Sequence, residues 1–152
     1  GLTGRALSVE TVVDLAAHGN VVGVKDSSGD LPRFGKLLER TPDGFAVLQG
    51  HTAAAVAALD LGADGVVAGE ANVRPGALAA VYDAHERGDR DRAADLHRER
   101  VAPVTHAVTD GPVLPSLKFL AGRAHGVDVG PPLLPLPELD DDRRAELAGV
   151  LD

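Results

Sequence analysis

Three short apolar runs, at residues 21–25, 45–49 and 65–68, recur at spacings of roughly 20 to 25 residues. Each is followed by a turn and then by a stretch of helical periodicity, the pattern of βα units around a parallel sheet. No two runs are neighbours in sequence, which excludes a sandwich built from hairpins. The helical stretches carry their own start and stop signals. Ser8 is placed to cap a helix whose buried face is Val9, Val12, Val13 and Ala16, at i, i+3, i+4 and i+7, with Gly19 as a left-handed terminator. Asp30 caps the next, with Pro32 tolerated in the first turn and Phe34, Leu37 and Leu38 facing inward. Thr52 caps an alanine-rich helix to Leu61. Pro75 opens a fourth, with Leu78, Val81, Tyr82 and His85 on one face.

After Gly88 the strands stop. Residues 90–108 form a charged helical stretch with Ala93, Leu96, Val101 and Val104 inside, and Pro103 is expected to bend or break it. Residues 113–125 read as another helix closed by Gly126. A proline-rich run at 130–137 reads as an extended connector. Asp140 to Asp142 give the last helix an acidic first turn that suits its dipole, and Leu147, Val150 and Leu151 anchor it. The expected organisation is α/β over residues 1–88 and all-helical over 89–152.

Length turns this pattern into a question. A closed eight-stranded α/β barrel takes about 250 residues, and three βα units are less than half of one. The chain also opens on Gly-Leu-Thr-Gly without an initiator methionine, so a piece of something longer is expected. Aromatic residues are 3% of the 152, so the core must be packed from Ala, Val and Leu. A net charge of −8 argues against nucleic acid or an anionic membrane surface as partner. No apolar run approaches the roughly 20 residues that span a bilayer. There is no cysteine and no visible signal segment, which is compatible with a reducing cytoplasm.

The chemistry centres on the first run. Residues 21–24 are apolar and mostly β-branched, the composition of a strand buried on both faces, and Lys25 closes it. Parallel α/β folds place their chemistry at the C-terminal ends of strands. A buried amine is disfavoured in its charged form, and the neutral form is the nucleophile. Only three lysines stand against twelve arginines, so arginine supplies the ordinary surface charge. The plain alternative is a lysine that snorkels from the strand end to water. Other constellations carry less. The six histidines make no metal-ligand spacing, and no metal or cofactor is expected. Ser27 and Ser28 lack a nucleophile-elbow context and read as turn residues that bond backbone. Lys118 reads as a surface or interface charge. Asp140 to Asp142 read as a helix cap rather than a calcium site.

Taken together, Gly1-Leu2-Thr3, Val22-Gly23-Val24-Lys25-Asp26-Ser27, Val47-Leu48-Gln49-Gly50, Gly62-Ala63-Asp64-Gly65-Val66-Val67 and Ala71-Asn72 resemble the dihydrodipicolinate synthase/N-acetylneuraminate lyase superfamily, pyruvate-dependent class I aldolases on a TIM barrel. The resemblance covers essentially the whole chain. It implies that the three strands are barrel strands six to eight, followed by a helical C-terminal extension. Lys25 would be the Schiff-base lysine, acting on pyruvate or another 2-keto acid. Gly50 would leave room for substrate, and the Val67 carbonyl would face the keto acid; simple packing is the alternative for both. The family's Tyr-Asn-x-Pro tyrosine and its carboxylate-binding Gly-Thr-Thr loop are absent here, so a missing N-terminal barrel half is an implied partner. A homo-oligomer is implied as well.

Two departures bear on substrate. Leu2 stands where dihydrodipicolinate synthases usually carry an arginine, and His51-Thr52-Ala53 replaces the acidic residues of sialic-acid lyases. The nearest pattern is a 2-keto-3-deoxy-sugar-acid aldolase or an unassigned member of the family. Glu70, just past the third strand, reads as a solvated loop carboxylate and His51 as a loop residue. The competing class is a non-catalytic oligomerisation or binding module derived from the same barrel.

Overall fold

The computed structural model describes residues 4–151. They form two compact units that divide between Val67 and Ala68.

In the first unit, helix α1 (Val9–Ala16) leads to strand β1 (Gly23–Asp26), helix α2 (Leu31–Arg40), strand β2 (Ala46–Gln49), a 3-10 turn (Thr52–Ala54), helix α3 (Ala55–Leu61) and the two-residue strand β3 (Gly65–Val66). The strands pair in parallel in the order β1-β2-β3. Ser8 caps α1 through Thr11 N, and Asp30 caps α2 through Arg33 N with Pro32 in the first turn, as the sequence predicts. The core is the helix-facing side of the sheet. Val9, Val12, Phe34, Leu37, Phe45, Val47 and Ala58 pack together there, and alanine and valine let the helices approach the strands closely. Asp64 closes the turn after α3 from both ends. Its carboxylate accepts Val47 N at 2.7 Å, and its own N–H donates to Val47 O at 3.1 Å.

Several local expectations fail for identifiable reasons. Helix α1 stops at Ala16 with Ala17 as a right-handed cap, and Gly19 is not left-handed; the Ala17 and His18 amides are satisfied by Asp14 O and Leu15 O. Strand β1 starts two residues late, and Val22 is 75% exposed. A strand buried on both faces is therefore not what residues 21–24 form among the described residues. Val24 packs on the helix side, but β1 is an edge strand with β2 as its sheet neighbour. Thr52 opens a 3-10 turn rather than capping a helix. The third strand ends at Val66, although Val67 N still donates to Gln49 O at 2.9 Å.

The second unit contains a 3-10 turn (Gly69–Asn72) and helices α4 (Pro75–Glu86), α5 (Arg90–Leu96), α6 (Ala102–Thr109), α7 (Val113–His125) and α8 (Asp141–Ala148). Pro103 does not end the helical run. A π-helical turn (His97–Val101) joins α5 to α6, and Ala102 N reaches back to His97 O. The wider turn accommodates a residue that has no N–H to give and whose ring crowds the preceding carbonyl. Gly126 closes α7 at φ +66°, and Asp140 caps α8 through Arg143 N. Val73, Val104, Val108, Leu117, Leu120, Leu139 and Leu147 form this unit's core, with Val150 and Leu151 packed against it. No helix among the described residues is long and apolar enough to cross a membrane.

Candidate active site

The end of β1 is organised by Asp26, which points to the helix side of the sheet and is 8% exposed. Its Oδ1 accepts Ser28 N at 2.9 Å, and its Oδ2 accepts Arg33 Nε from α2 at 3.1 Å. Its carbonyl oxygen accepts Gly50 N at 2.8 Å, which carries the β1–β2 pairing one step beyond the ladder. Ser28 Oγ then accepts Asp30 N at 3.1 Å, so Ser28 bonds backbone in the turn as the sequence suggests.

Side chains alternate along a strand, so Lys25 points to the face opposite Asp26. In the register, Lys25 stands beside Leu48, and Leu48 beside Gly65. One pleat further on, Ser27, Gly50 and Val67 make a second row on the same face. Gly50 is the hinge of this arrangement. A Cβ built there would lie 2.1 Å from Ser27 Oγ and 3.1 Å from both Cγ and Cε of Lys25. The space a side chain would fill is thus taken by the stem of Lys25 and the hydroxyl of Ser27. Gly23, in the row below, has a different reason to be glycine: its Cβ would stand 2.7 Å from Ala46 O, where the two strands approach.

Lys25, Ser27, Ser28, Arg33 and Leu7 line a cleft of about 290 Å³ beside β1. Lys25 itself is exposed. The expectation of a buried amine is not met among the described residues, because no strand covers the outer side of β1. Gly50 and Val67 lie where the sequence puts them, at the C-terminal ends of β2 and β3, and Val67 is 47% exposed. Ser27, which the sequence reads only as a turn residue, shares the face of Lys25 and approaches Gly50. Its i+2 spacing from Lys25 is the sequence signal for that shared face. Leu2 lies outside the described residues. His51 lays its ring against Gly29, 3.1 Å from a Cβ built there. In the second unit, Lys118 Nζ donates to Pro131 O at 2.8 Å. Glu70 is 8% exposed in its 3-10 turn, so it is not a solvated loop carboxylate. Val73 N and Arg74 N both donate to its backbone carbonyl.

The site is thus a lysine at the C-terminal end of a parallel strand, with a glycine slot beside its stem. The model of the dihydrodipicolinate synthetase family matches residues 1–152. The chain belongs to that family. A 4-hydroxy-tetrahydrodipicolinate synthase of Methanoculleus marisnigri is 39% identical over 153 residues, spanning 99% of this chain and 52% of the relative. The crystal structure of a dihydrodipicolinate synthase from Bacillus anthracis superposes with a TM-score of 0.87 at 32% identity, covering 97% of this chain and 50% of that one. The enzyme from Aquifex aeolicus gives a TM-score of 0.86 at 27% identity, covering 95% and 49%. The chain thus spans about half the length of the family members it matches. Its α/β unit and helical C-terminal region correspond to half of a barrel enzyme.

Proposed function

We propose that this chain supplies the Schiff-base portion of a class I aldolase-type lyase or synthase, with β1, β2 and β3 as barrel strands six, seven and eight. The observation that carries the reading is the grouping of Lys25, Gly50 and Ser27 at the C-terminal rim of parallel strands. Lys25 Nζ attacks the ketone carbon of pyruvate or another 2-keto acid, and loss of water leaves an iminium. The iminium withdraws electrons from the neighbouring carbon, which gives up a proton to form an enamine. The enamine adds to an aldehyde, or the same steps run in reverse. Gly50 keeps the lysine stem extended toward the rim, the Val67 carbonyl faces the keto acid, and Ser27 offers a hydroxyl beside the reacting amine. Activity and substrate are properties of the assembled barrel. The chain's one tyrosine is Tyr82 in α4, and a phenolic proton carrier for the lysine would come from an N-terminal barrel half. Leu2, in place of an arginine, favours a 2-keto-3-deoxy sugar acid over an aspartate semialdehyde adduct, and a homo-oligomer is the expected assembly.

Borohydride reduction in the presence of pyruvate tests this, on the chain alone and combined with an N-terminal barrel half, with the adduct located by peptide mass spectrometry. The expected result is a reduced adduct on Lys25 in the assembled barrel, lost in Lys25→Arg. No adduct on Lys25 under either condition would overturn the reading in favour of a non-catalytic binding module.

A further inference from the structure

The pair formed by Asp26 and Arg33 does no chemistry in the proposed reaction, yet it is the ion pair next to the lysine in sequence. Asp26 follows Lys25 directly and lies on the opposite face of the same strand. Each of its carboxylate oxygens takes one donor, Ser28 N and Arg33 Nε, and its carbonyl takes Gly50 N. One residue is therefore tied to the turn after β1, to the first turn of α2 and to the glycine against which the Lys25 stem lies. Arg33 is fixed at both ends, since its own N–H is the donor that Asp30 caps at 2.9 Å. On the outer side of β1 no ladder holds Lys25 among the described residues, so these ties set the direction in which its side chain leaves the backbone. A buried carboxylate needs such a partner, because removal of one ion leaves the other uncompensated.

We propose that Asp26 and Arg33 are positioning residues that hold Lys25 in line for attack on the keto acid. This rests on the Schiff-base reading above. The pair transmits the rigidity of the helix layer to the amine, and its loss moves the nucleophile while leaving the contacts to substrate intact. Misplacement by about 1 Å can slow such a step by about 100-fold.

The test uses the assembled barrel, with adduct formation stopped by borohydride at timed intervals over a range of pyruvate concentrations. Variants are Asp26→Asn, Arg33→Lys, Arg33→Met and the double variant Asp26→Asn/Arg33→Met, each with a urea midpoint. The saturating rate should fall about 10- to 100-fold in Arg33→Met, while the half-saturating pyruvate concentration moves less than about 3-fold. Arg33→Lys should recover part of the rate. The double variant leaves no lone buried charge, so its urea midpoint should recover toward the parent while its rate stays low. If the single variants fail to fold, the double variant carries the comparison. A rate that recovers with the midpoint, or a variant as fast as the parent, overturns the positioning role and leaves the Schiff-base reading standing. A parent that forms no adduct removes both.

Discussion

The same substitution made at two glycines should have different consequences, and the atoms each new methyl meets say why. At Gly23 a Cβ would lie 2.7 Å from Ala46 O and 3.0 Å from Ala46 Cβ. These atoms belong to the partner strand, and they can yield only if β1 and β2 separate. Gly23→Ala is therefore an overpacking change in a fixed frame, expected to destabilise by about 1–3 kcal/mol. At Gly50 the nearest atoms are Ser27 Oγ at 2.1 Å and Lys25 Cγ and Cε at 3.1 Å, which are side-chain atoms on an exposed face. Ser27 can turn to another rotamer for about 0.5–1.5 kcal/mol, and the Lys25 stem need shift only a few tenths of an ångström. Neither glycine has a positive φ, so backbone strain adds nothing to either estimate. Gly50→Ala should thus cost about 1 kcal/mol or less in a urea melt, well below Gly23→Ala. Its effect should appear in the rate of the pyruvate adduct on Lys25 in the assembled barrel, which is expected to fall about 10-fold. An unchanged rate for Gly50→Ala, or a stability loss as large as that of Gly23→Ala, would refute the claim that Gly50 exists to pass the lysine stem.

Two further outcomes follow from contacts in the first unit. Asp64→Ala leaves Val47 N without its 2.7 Å acceptor and should cost about 1–3 kcal/mol by urea denaturation; Asp64→Asn, whose amide oxygen can still accept, should cost less, and equal losses would contradict the assignment. Hydrogen bonding from the Arg40 guanidinium holds the Glu10 carboxyl at about 2, below its ordinary 4.5, so the pair's contribution is present above pH 4.5 and lost as pH falls through about 2. The difference in urea midpoint between the parent and Glu10→Gln should shrink across that window, and a difference independent of pH would count against the pair.

Much of both units could be read from sequence because the determinants are local. Ser8, Asp30 and Asp140 cap helices through backbone amides three residues on, and Gly126 ends α7 with a positive φ. The apolar positions of α2 resolve into a buried face because a helix repeats every 3.6 residues. Where the structure departs from the local pattern, more distant chain decides. Whether residues 21–24 are buried on both faces depends on what lies beside β1, and Thr52 is a 3-10 residue because of how the chain leaves β2. Gly19, similarly, sits in the turn between α1 and β1, where its left-handed freedom is not used.

The sequence by itself determined the alternation of strands and helices, the helix caps and the lysine at a strand end, since periodicity and side-chain chemistry act over a few residues. Only the tertiary structure decided that Asp26 turns away from Lys25 to meet Arg33, and that Ser27 shares the space above Gly50. Those relations join separate elements across a sheet register, and a one-residue slip in that register would send every one of these side chains to the other face.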